Sequence, residues 1–246
     1  MTSERKIIRL PDAAALAQAA AERVIARVEA NGGRTAICLT GGSSPERLYR
    51  LLATEPYQNR IPWRRVHWFI GDERFVPPED SRNNMAMARR LFLDICAPPE
   101  NIHPIPVQAG TTRDAARRYE IALQTFYGSG RLDPARPLFD LVLMGLGPDG
   151  HTASLFPGDA ALDERARWVV GVAHANVEPL VPRVTLTLPT LASCREMLFE
   201  VSGADKRAIL ARVLGGEDLP ASRARSLGDT VWLVDTAALP ESPHDT

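Results

Sequence analysis

Residues 139–158, FDLVLMGLGPDGHTASLFPG, contain the residue types best suited to chemistry. An apolar run stops at Gly145, and Asp149 and His151 follow in a turn rich in glycine. A glycine-rich turn after an apolar strand is a common ligand site in open α/β sheets, because backbone amides can approach a substrate there. Histidine titrates near neutral pH, and an adjacent carboxylate can hold its ring. We therefore expect proton-transfer chemistry at this turn.

The same turn contains the pattern GxGxxG over residues 145–150, which is typical of dinucleotide-binding sites. Such a site also requires a helix that begins at the turn, and an acidic residue at the end of the next strand, about 20 residues later. Pro157 and Gly158 limit any helix here to a turn or two, and the next predicted strand ends in His174-Ala175-Asn176. These departures disfavour a dinucleotide site.

Polar and basic residues also follow other predicted strands. Residues 41–45, GGSSP, are typical of a helix start, where unpaired backbone N–H groups can bind a phosphate. Residues 71–74, GDER, end in Arg74, whose planar guanidinium suits a phosphate. Lys206 at a predicted helix start and Arg183 before a predicted strand are further anion ligands to consider. An ordinary capped turn, a surface ion pair or a solvated charge would also explain each of these features taken alone.

Composition narrows the function classes. Lysine and arginine number 29 against 30 aspartates and glutamates, so a net charge of −1 argues against a general nucleic-acid binder. The cysteines are far apart and are expected to be buried thiols in a reducing compartment, and no cluster has metal-ligand spacing. The N-terminal residues lack the apolar core of a signal peptide, and no apolar run is long enough to span a membrane. A soluble cytoplasmic protein is expected.

The elements that must position these residues follow from hydrophobic periodicity. Strands are predicted over residues 6–10, 35–40, 65–70, 139–144, 168–173, 184–188, 197–201 and 230–234, with a short extended piece at 101–106. Helices are predicted over about 12–30, 45–52, 84–95, 112–126 and 207–214. This alternation predicts an α/β fold with a mostly parallel sheet covered by helices on both faces. We expect one domain, with a core over about 6–239, a loose tail at 240–246, and a small antiparallel flap around residues 160–190.

Taken together, GGSSP, GDERFVP, SRNN, LGPDGHTASLFPG, RVTLTLP and SGADKR resemble the 6-phosphogluconolactonase family, which shares its fold with the glucosamine-6-phosphate deaminases. The resemblance runs in the same order from about Ala13 to Leu239. It implies a three-layer Rossmann-like fold and a carboxylic ester hydrolase. The implied reaction converts 6-phospho-D-glucono-1,5-lactone to 6-phosphogluconate in the oxidative pentose phosphate pathway, without a metal or an organic cofactor.

The resemblance also implies a role for each candidate residue. His151 is the implied general base that takes a proton from water, and Asp149 either orients the imidazole or holds substrate. Asp72 is expected to bind sugar hydroxyls. The expected phosphate ligands are Gly42, Ser43, Arg74, Arg183 and Lys206. The glycines themselves suggest that the amides of Gly147 or Gly150 stabilise an oxyanion.

Two other functions stay open at this point. In the deaminases, a glutamate that assists ring opening follows the histidine by five residues, where this chain has Phe156, and an aromatic residue takes the place of Arg74. Both departures disfavour deamination. A non-catalytic sugar-phosphate sensor would normally carry a helix-turn-helix, and the residues before Thr35 predict only one helix after a strand. The oligomeric state, monomer or weak dimer, is left open.

Overall fold

The computed structural model describes residues 5–108 and 110–240. The strands are β1 Arg5–Leu10, β2 Thr35–Leu39, β3 Val66–Ile70, β4 Asp72–Arg74, β5 Ile102–His103, β6 Phe139–Met144, β7 Val169–Val172, β8 Arg183–Leu186, β9 Cys194–Val201 and β10 Asp229–Asp235. The helices are α1 Ala13–Ala30, α2 Ser44–Leu52, α3 Tyr57–Arg60, α4 Asn84–Ala88, α5 Asp94–Cys96, α6 Thr112–Tyr127, α7 Leu188–Ala192, α8 Arg207–Leu214 and α9 Pro220–Arg223. A π-helical turn, Arg89–Leu93, joins α4 to α5, and 3₁₀ turns lie at Trp63–Arg65, Pro99–Asn101, Ala160–Asp163 and Ala204–Lys206.

The larger sheet has seven strands in the order β1-β10-β9-β6-β2-β3-β5, and every neighbouring pair is parallel. β2 and β6 are buried along their whole length, which requires helices over both faces. The predicted three-layer α/β fold is therefore confirmed. Because the strands are parallel, the loops after β2, β6 and β9 meet at one edge of the sheet, where such folds bind ligands.

The second sheet is antiparallel and has the strand order β4-β8-β7. It confirms the small flap predicted around residues 160–190 and adds β4, where no strand was predicted. Three charged residues are poor strand formers, but pairing with β8 overrides that preference. In β4, Asp72 and Arg74 share one face and Glu73 lies on the other, as the period of a strand requires.

Side chains from both sheets belong to one hydrophobic core, which includes Phe139 of β6 and Val184 of β8. This continuity favours the predicted single domain, which stays a prediction. Of the predicted tail, residues 241–246 lie outside the described residues. Among the helices that the structure describes, none combines the length and the apolar character needed to cross a membrane.

Glu200 of β9 is a buried carboxyl group in this core. Glu200 is 1% exposed, and neither of its carboxylate oxygens has a hydrogen-bond partner among the described residues. Burial raises the pKa of Glu200 from 4.5 to about 8. The folded chain therefore keeps a proton that the unfolded chain releases across this interval. As a result, the free energy of unfolding falls as the pH rises from 4.5 to 8, by ~1.4 kcal/mol per pH unit for this group.

We expect Glu200→Gln to remove this contribution, because glutamine does not titrate. Relative to the parent chain, the variant should gain stability steadily from pH 5 to pH 8 and no further above pH 8.5. Urea unfolding at a series of pH values measures the difference. A stability difference that stays constant across this range would contradict the prediction.

Candidate active site

A cavity of about 200 Å³ opens where the carboxyl edge of the large sheet meets the small sheet. The predicted site residues that line it are Gly42, Ser43, Asp72, Arg74, Gly147, His151, Arg183 and Lys206. Asp149 and Gly150 are not among its lining residues. A groove beside Trp63 and Ile95 is larger, at about 590 Å³, but the described residues that line it include no acid–base pair.

The turn after β6 holds His151 and Asp149 in contact. The Nδ1 atom of His151 lies 2.5 Å from Oδ1 of Asp149, and the same oxygen accepts the backbone N–H of His151 at 3.1 Å. Burial alone would raise the pKa of Asp149, but these hydrogen bonds outweigh it and hold the pKa below its ordinary value. The ionised carboxylate favours the proton on Nδ1, so the lone pair of the imidazole is on Nε2. Asp149 therefore contacts the ring, which favours the orienting role over substrate binding.

Gly147 and Phe156 pack against the imidazole. A Cβ atom at residue 147 would lie 2.0 Å from Cε1 and Nδ1 of His151, so only glycine leaves room for the ring. The Phe156 ring lies 4.8 Å from the imidazole, centroid to centroid, and Phe156 is buried. On the other side of the turn, Gly150 has a φ of 87° and packs against Leu219. The imidazole is therefore held by packing as well as by Asp149.

The amides of Gly147 and Gly150 already have acceptors within the turn. The N–H of Gly147 donates to the His151 carbonyl at 2.9 Å, and that of Gly150 donates to the Gly147 carbonyl at 3.1 Å. The expectation that one of them stabilises an oxyanion is therefore not supported by this arrangement. These glycines allow the turn to adopt its shape. Residue type alone does not reveal which backbone N–H groups lack an acceptor.

Arg74 and Arg183 face each other across β4 and β8 and form a concentration of positive charge. One terminal nitrogen of each donates to a carbonyl, Arg74 to Arg82 at 2.7 Å and Arg183 to Pro179 at 2.8 Å. Both Nε atoms are buried without a hydrogen-bond partner among the described residues. Burial lowers the pKa of Arg183, nearby Asp72 opposes this, and Arg74 adds to it. Two guanidinium groups with unused donors suit a dianionic ligand.

Gly42, Ser43 and Lys206 complete the cationic side of the cavity. Gly42 has a φ of 93° and leads into α2, and within the described residues the N–H groups of Gly42 and Ser43 have no acceptor. Lys206 lies just before α8, with its Nζ 3.6 Å from Asp205. Strand ends that are distant in the sequence therefore bring together amide donors, a lysine and two arginines.

The acidic residues of the GDER segment have different surroundings. Asp72 lines the cavity and accepts a hydrogen bond from Ser154 at 2.5 Å. Glu73 points away and accepts the backbone N–H groups of Arg74, Asn84 and Met85, which ties β4 to the start of α4. Burial raises the pKa of Glu73 to about 8. The alternation of side chains along a strand is the signal that would have separated these two acids.

Several other residues that line the cavity were not predicted to be site residues. These are Thr40, Asn84, Thr152, Ser154, Val177 and Glu178. Asn84 lies close to Gly41, since a Cβ atom at residue 41 would be 2.0 Å from its amide oxygen. In residues 5–108 and 110–240, no group of three or more His, Cys, Asp or Glu side chains is arranged to hold a metal ion.

Comparison with known proteins places the chain in a family. Residues 11–232 match the model described as glucosamine-6-phosphate isomerases/6-phosphogluconolactonase. The chain belongs to this family. A 6-phosphogluconolactonase from Nostoc sp. is 38% identical over 93% of this chain and 95% of its own length. One from Mycobacterium leprae is 42% identical over 85% of this chain and 86% of its own length.

Solved structures of the family share the fold. The 6-phosphogluconolactonase from Trypanosoma cruzi superposes with a TM-score of 0.85, at 29% identity, and the match covers 97% of each chain. The family resemblance stated from the sequence motifs is therefore confirmed over nearly the whole chain.

Proposed function

We propose that this chain hydrolyses 6-phospho-D-glucono-1,5-lactone to 6-phosphogluconate, as a step of the oxidative pentose phosphate pathway. The observation that carries the proposal is the combination found in one cavity. An imidazole held by a carboxylate lines the same cavity as two arginines, a lysine and the residues that lead into α2. The first group is suited to activating water, and the second to binding a phosphate. Family membership and the names of the relatives support the same reaction.

In the proposed mechanism, His151 acts as general base through Nε2. Water is a poor nucleophile at neutral pH, and removal of a proton by the imidazole makes it able to attack the lactone carbonyl carbon. The C–O bond to the ring oxygen then breaks, and the imidazolium returns the proton to that oxygen. Asp149 keeps the ring oriented and stabilises the imidazolium, because its carboxylate lies 2.5 Å from Nδ1.

The phosphate of the substrate is proposed to lie on the cationic side of the cavity. Arg74 and Arg183 supply guanidinium donors, Lys206 supplies an ammonium group, and Gly42 and Ser43 supply backbone N–H groups. Asp72 is proposed to accept a hydrogen bond from a sugar hydroxyl. This assignment puts the lactone carbonyl near His151 and requires neither a metal nor an organic cofactor.

A specific observation separates this function from deamination of glucosamine 6-phosphate. Phe156 is buried and packs on the imidazole, so its position offers an apolar ring where ring opening requires an acid.

We also propose that the enzyme is cytoplasmic and that its partner is the small sugar-phosphate lactone.

The decisive experiment follows acid production from freshly prepared 6-phosphogluconolactone at constant pH, with the spontaneous rate subtracted. We expect an enzymatic rate that is saturable in the lactone. Ammonia release from glucosamine 6-phosphate, measured in parallel, should stay at background. A lactone rate equal to the spontaneous rate would overturn the proposal.

Arg74→Ala should mainly raise KM, because the lost guanidinium binds the phosphate in the ground state and in the transition state alike. Charge-assisted hydrogen bonds contribute about 1.5–3 kcal/mol, which corresponds to a rise of about 10- to 150-fold. Arg74→Lys should recover part of the loss, since lysine keeps the positive charge but lacks the planar guanidinium that donates two parallel hydrogen bonds. Arg89→Ala is the matched control, because Arg89 pairs with Asp94 on the surface. An unchanged KM in Arg74→Ala would place the phosphate elsewhere.

A further inference from the structure

An acid and two arginines line the same cavity without forming an ion pair. Asp72 and Arg74 lie on one face of β4, and Arg183 faces them from β8. Asp72 is close enough to influence the pKa of Arg183. Yet in the part of the chain that the structure describes, neither guanidinium group forms a salt bridge with a carboxylate, and the partner of each is a backbone carbonyl. Some other contact must therefore hold the Asp72 carboxylate away from these guanidinium groups.

Ser154 supplies the contact that holds Asp72. Its hydroxyl donates to Oδ2 of Asp72 at 2.5 Å, across 82 positions of sequence. Its backbone N–H donates to Oγ1 of Thr185 at 3.2 Å, and Thr185 lies opposite Asp72 in the sheet. Ser154 is 1% exposed, so water does not compete for this hydroxyl. Both ends of the residue are thus fixed to the small sheet.

The turn that carries Ser154 is itself constrained. Thr152 and Leu155 close it, with the Leu155 N–H donating to the Thr152 carbonyl at 3.1 Å. Ala153 adopts a φ of 49°, a conformation that residues with a side chain rarely adopt. Such outliers persist where the surroundings determine the backbone, often at functional sites. Here the turn aims the Ser154 hydroxyl at Asp72, three residues after the proposed base.

We infer that Ser154 is a positioning residue that holds Asp72 away from Arg74 and Arg183 and so keeps both guanidinium groups available for the phosphate of the substrate. One oxygen of Asp72 is occupied by the Ser154 hydroxyl, and the other is left for a sugar hydroxyl. Without Ser154, the carboxylate is free to rotate onto an arginine and compete with the phosphate. The inference rests on the proposed phosphate role of the arginines.

Ser154→Ala tests this inference through phosphate binding. We expect the inhibition constant of inorganic phosphate and the KM of the lactone to rise together by about tenfold, the size of one charge-assisted hydrogen bond. The kcat should stay within about threefold, since a change in ground-state phosphate binding leaves the proton transfer intact. Ser193→Ala is the control: it removes another buried serine hydroxyl, which accepts the Leu138 N–H far from the cavity.

A double-mutant cycle with Asp72→Ala separates positioning from a general structural role. When the carboxylate is absent, Ser154→Ala should change phosphate binding by less than about twofold, because there is no group left to hold. A loss of the same size in both backgrounds would overturn the inference, and so would a Ser154→Ala variant that binds phosphate as the parent does. Calorimetric titration with inorganic phosphate gives this result even if the parent chain fails to hydrolyse the lactone, so the two proposals fail separately.

Discussion

Replacing His151 by alanine should lower kcat by about 10²–10⁴-fold, the range typical of a general base. In the proposed mechanism the side chain contacts the reacting water and is not one of the phosphate ligands, so KM should change little. Initial rates with freshly prepared lactone, corrected for spontaneous hydrolysis, separate the two constants. A variant that keeps the parent turnover would remove His151 from the mechanism.

A second histidine provides the matched control for this experiment. His103 of β5 lies 3.0 Å from His67 at the edge of the large sheet and does not line the cavity. His103→Gln should therefore leave kcat and KM near the parent values.

Asp149→Asn tests the contact that orients the imidazole, because an amide cannot stabilise the imidazolium as a carboxylate does. Its kcat should fall between those of His151→Ala and the parent chain.

The large sheet was predictable because its strands are buried on both faces and therefore appear as continuous apolar runs. β6 is the clearest example, with every residue from Phe139 to Met144 buried. Runs of this kind separated by amphipathic helices indicate a parallel sheet wherever they occur. The start of α2 could also be predicted from neighbouring residues, because Pro45 follows two serines and proline favours the first turn of a helix.

β4 could not be predicted in the same way, because its residues become a strand only through their partner. Asp72, Glu73 and Arg74 pair with β8, which lies more than 100 positions later. Local propensity opposes that outcome, and long-range pairing overrides it. The same pairing brings Arg183 opposite Arg74, a neighbourhood that spacing along the chain does not encode.

In the candidate site, too, contacts between residues close in sequence could be predicted, and contacts between distant residues could not. Asp149 and His151 are two positions apart, so their contact follows from the local turn and was a natural expectation. The Ser154–Asp72 contact joins the turn after β6 to β4 of the small sheet, across 82 positions, and could be seen only in the folded structure. The oxyanion assignment illustrates a different limit. Glycine indicates a flexible and open backbone, but hydrogen bonds inside the turn decide whether its N–H is free.

Gly147→Ala should reduce kcat by about 10²-fold, the cost expected when a catalytic group is displaced by about 1 Å. The added methyl group would lie 2.0 Å from Nδ1 and Cε1 of His151, so the ring must move away from its present position. That movement also breaks the contact between Nδ1 and Asp149. The proposed phosphate ligands belong to other strands and loops, so KM should rise much less than kcat falls.

Gly145→Ala is the control that makes this prediction sharp. Gly145 begins the same turn, but a Cβ atom there meets nothing closer than Oγ1 of Thr40 at 4.0 Å. It should therefore retain most of the activity, although both variants add one methyl group to the GxGxxG pattern. If these glycines served a phosphate through their amides, both variants would raise KM. Equal losses of kcat in the two variants would show that the turn as a whole, and not the room beside the imidazole, is what the substitution disturbs.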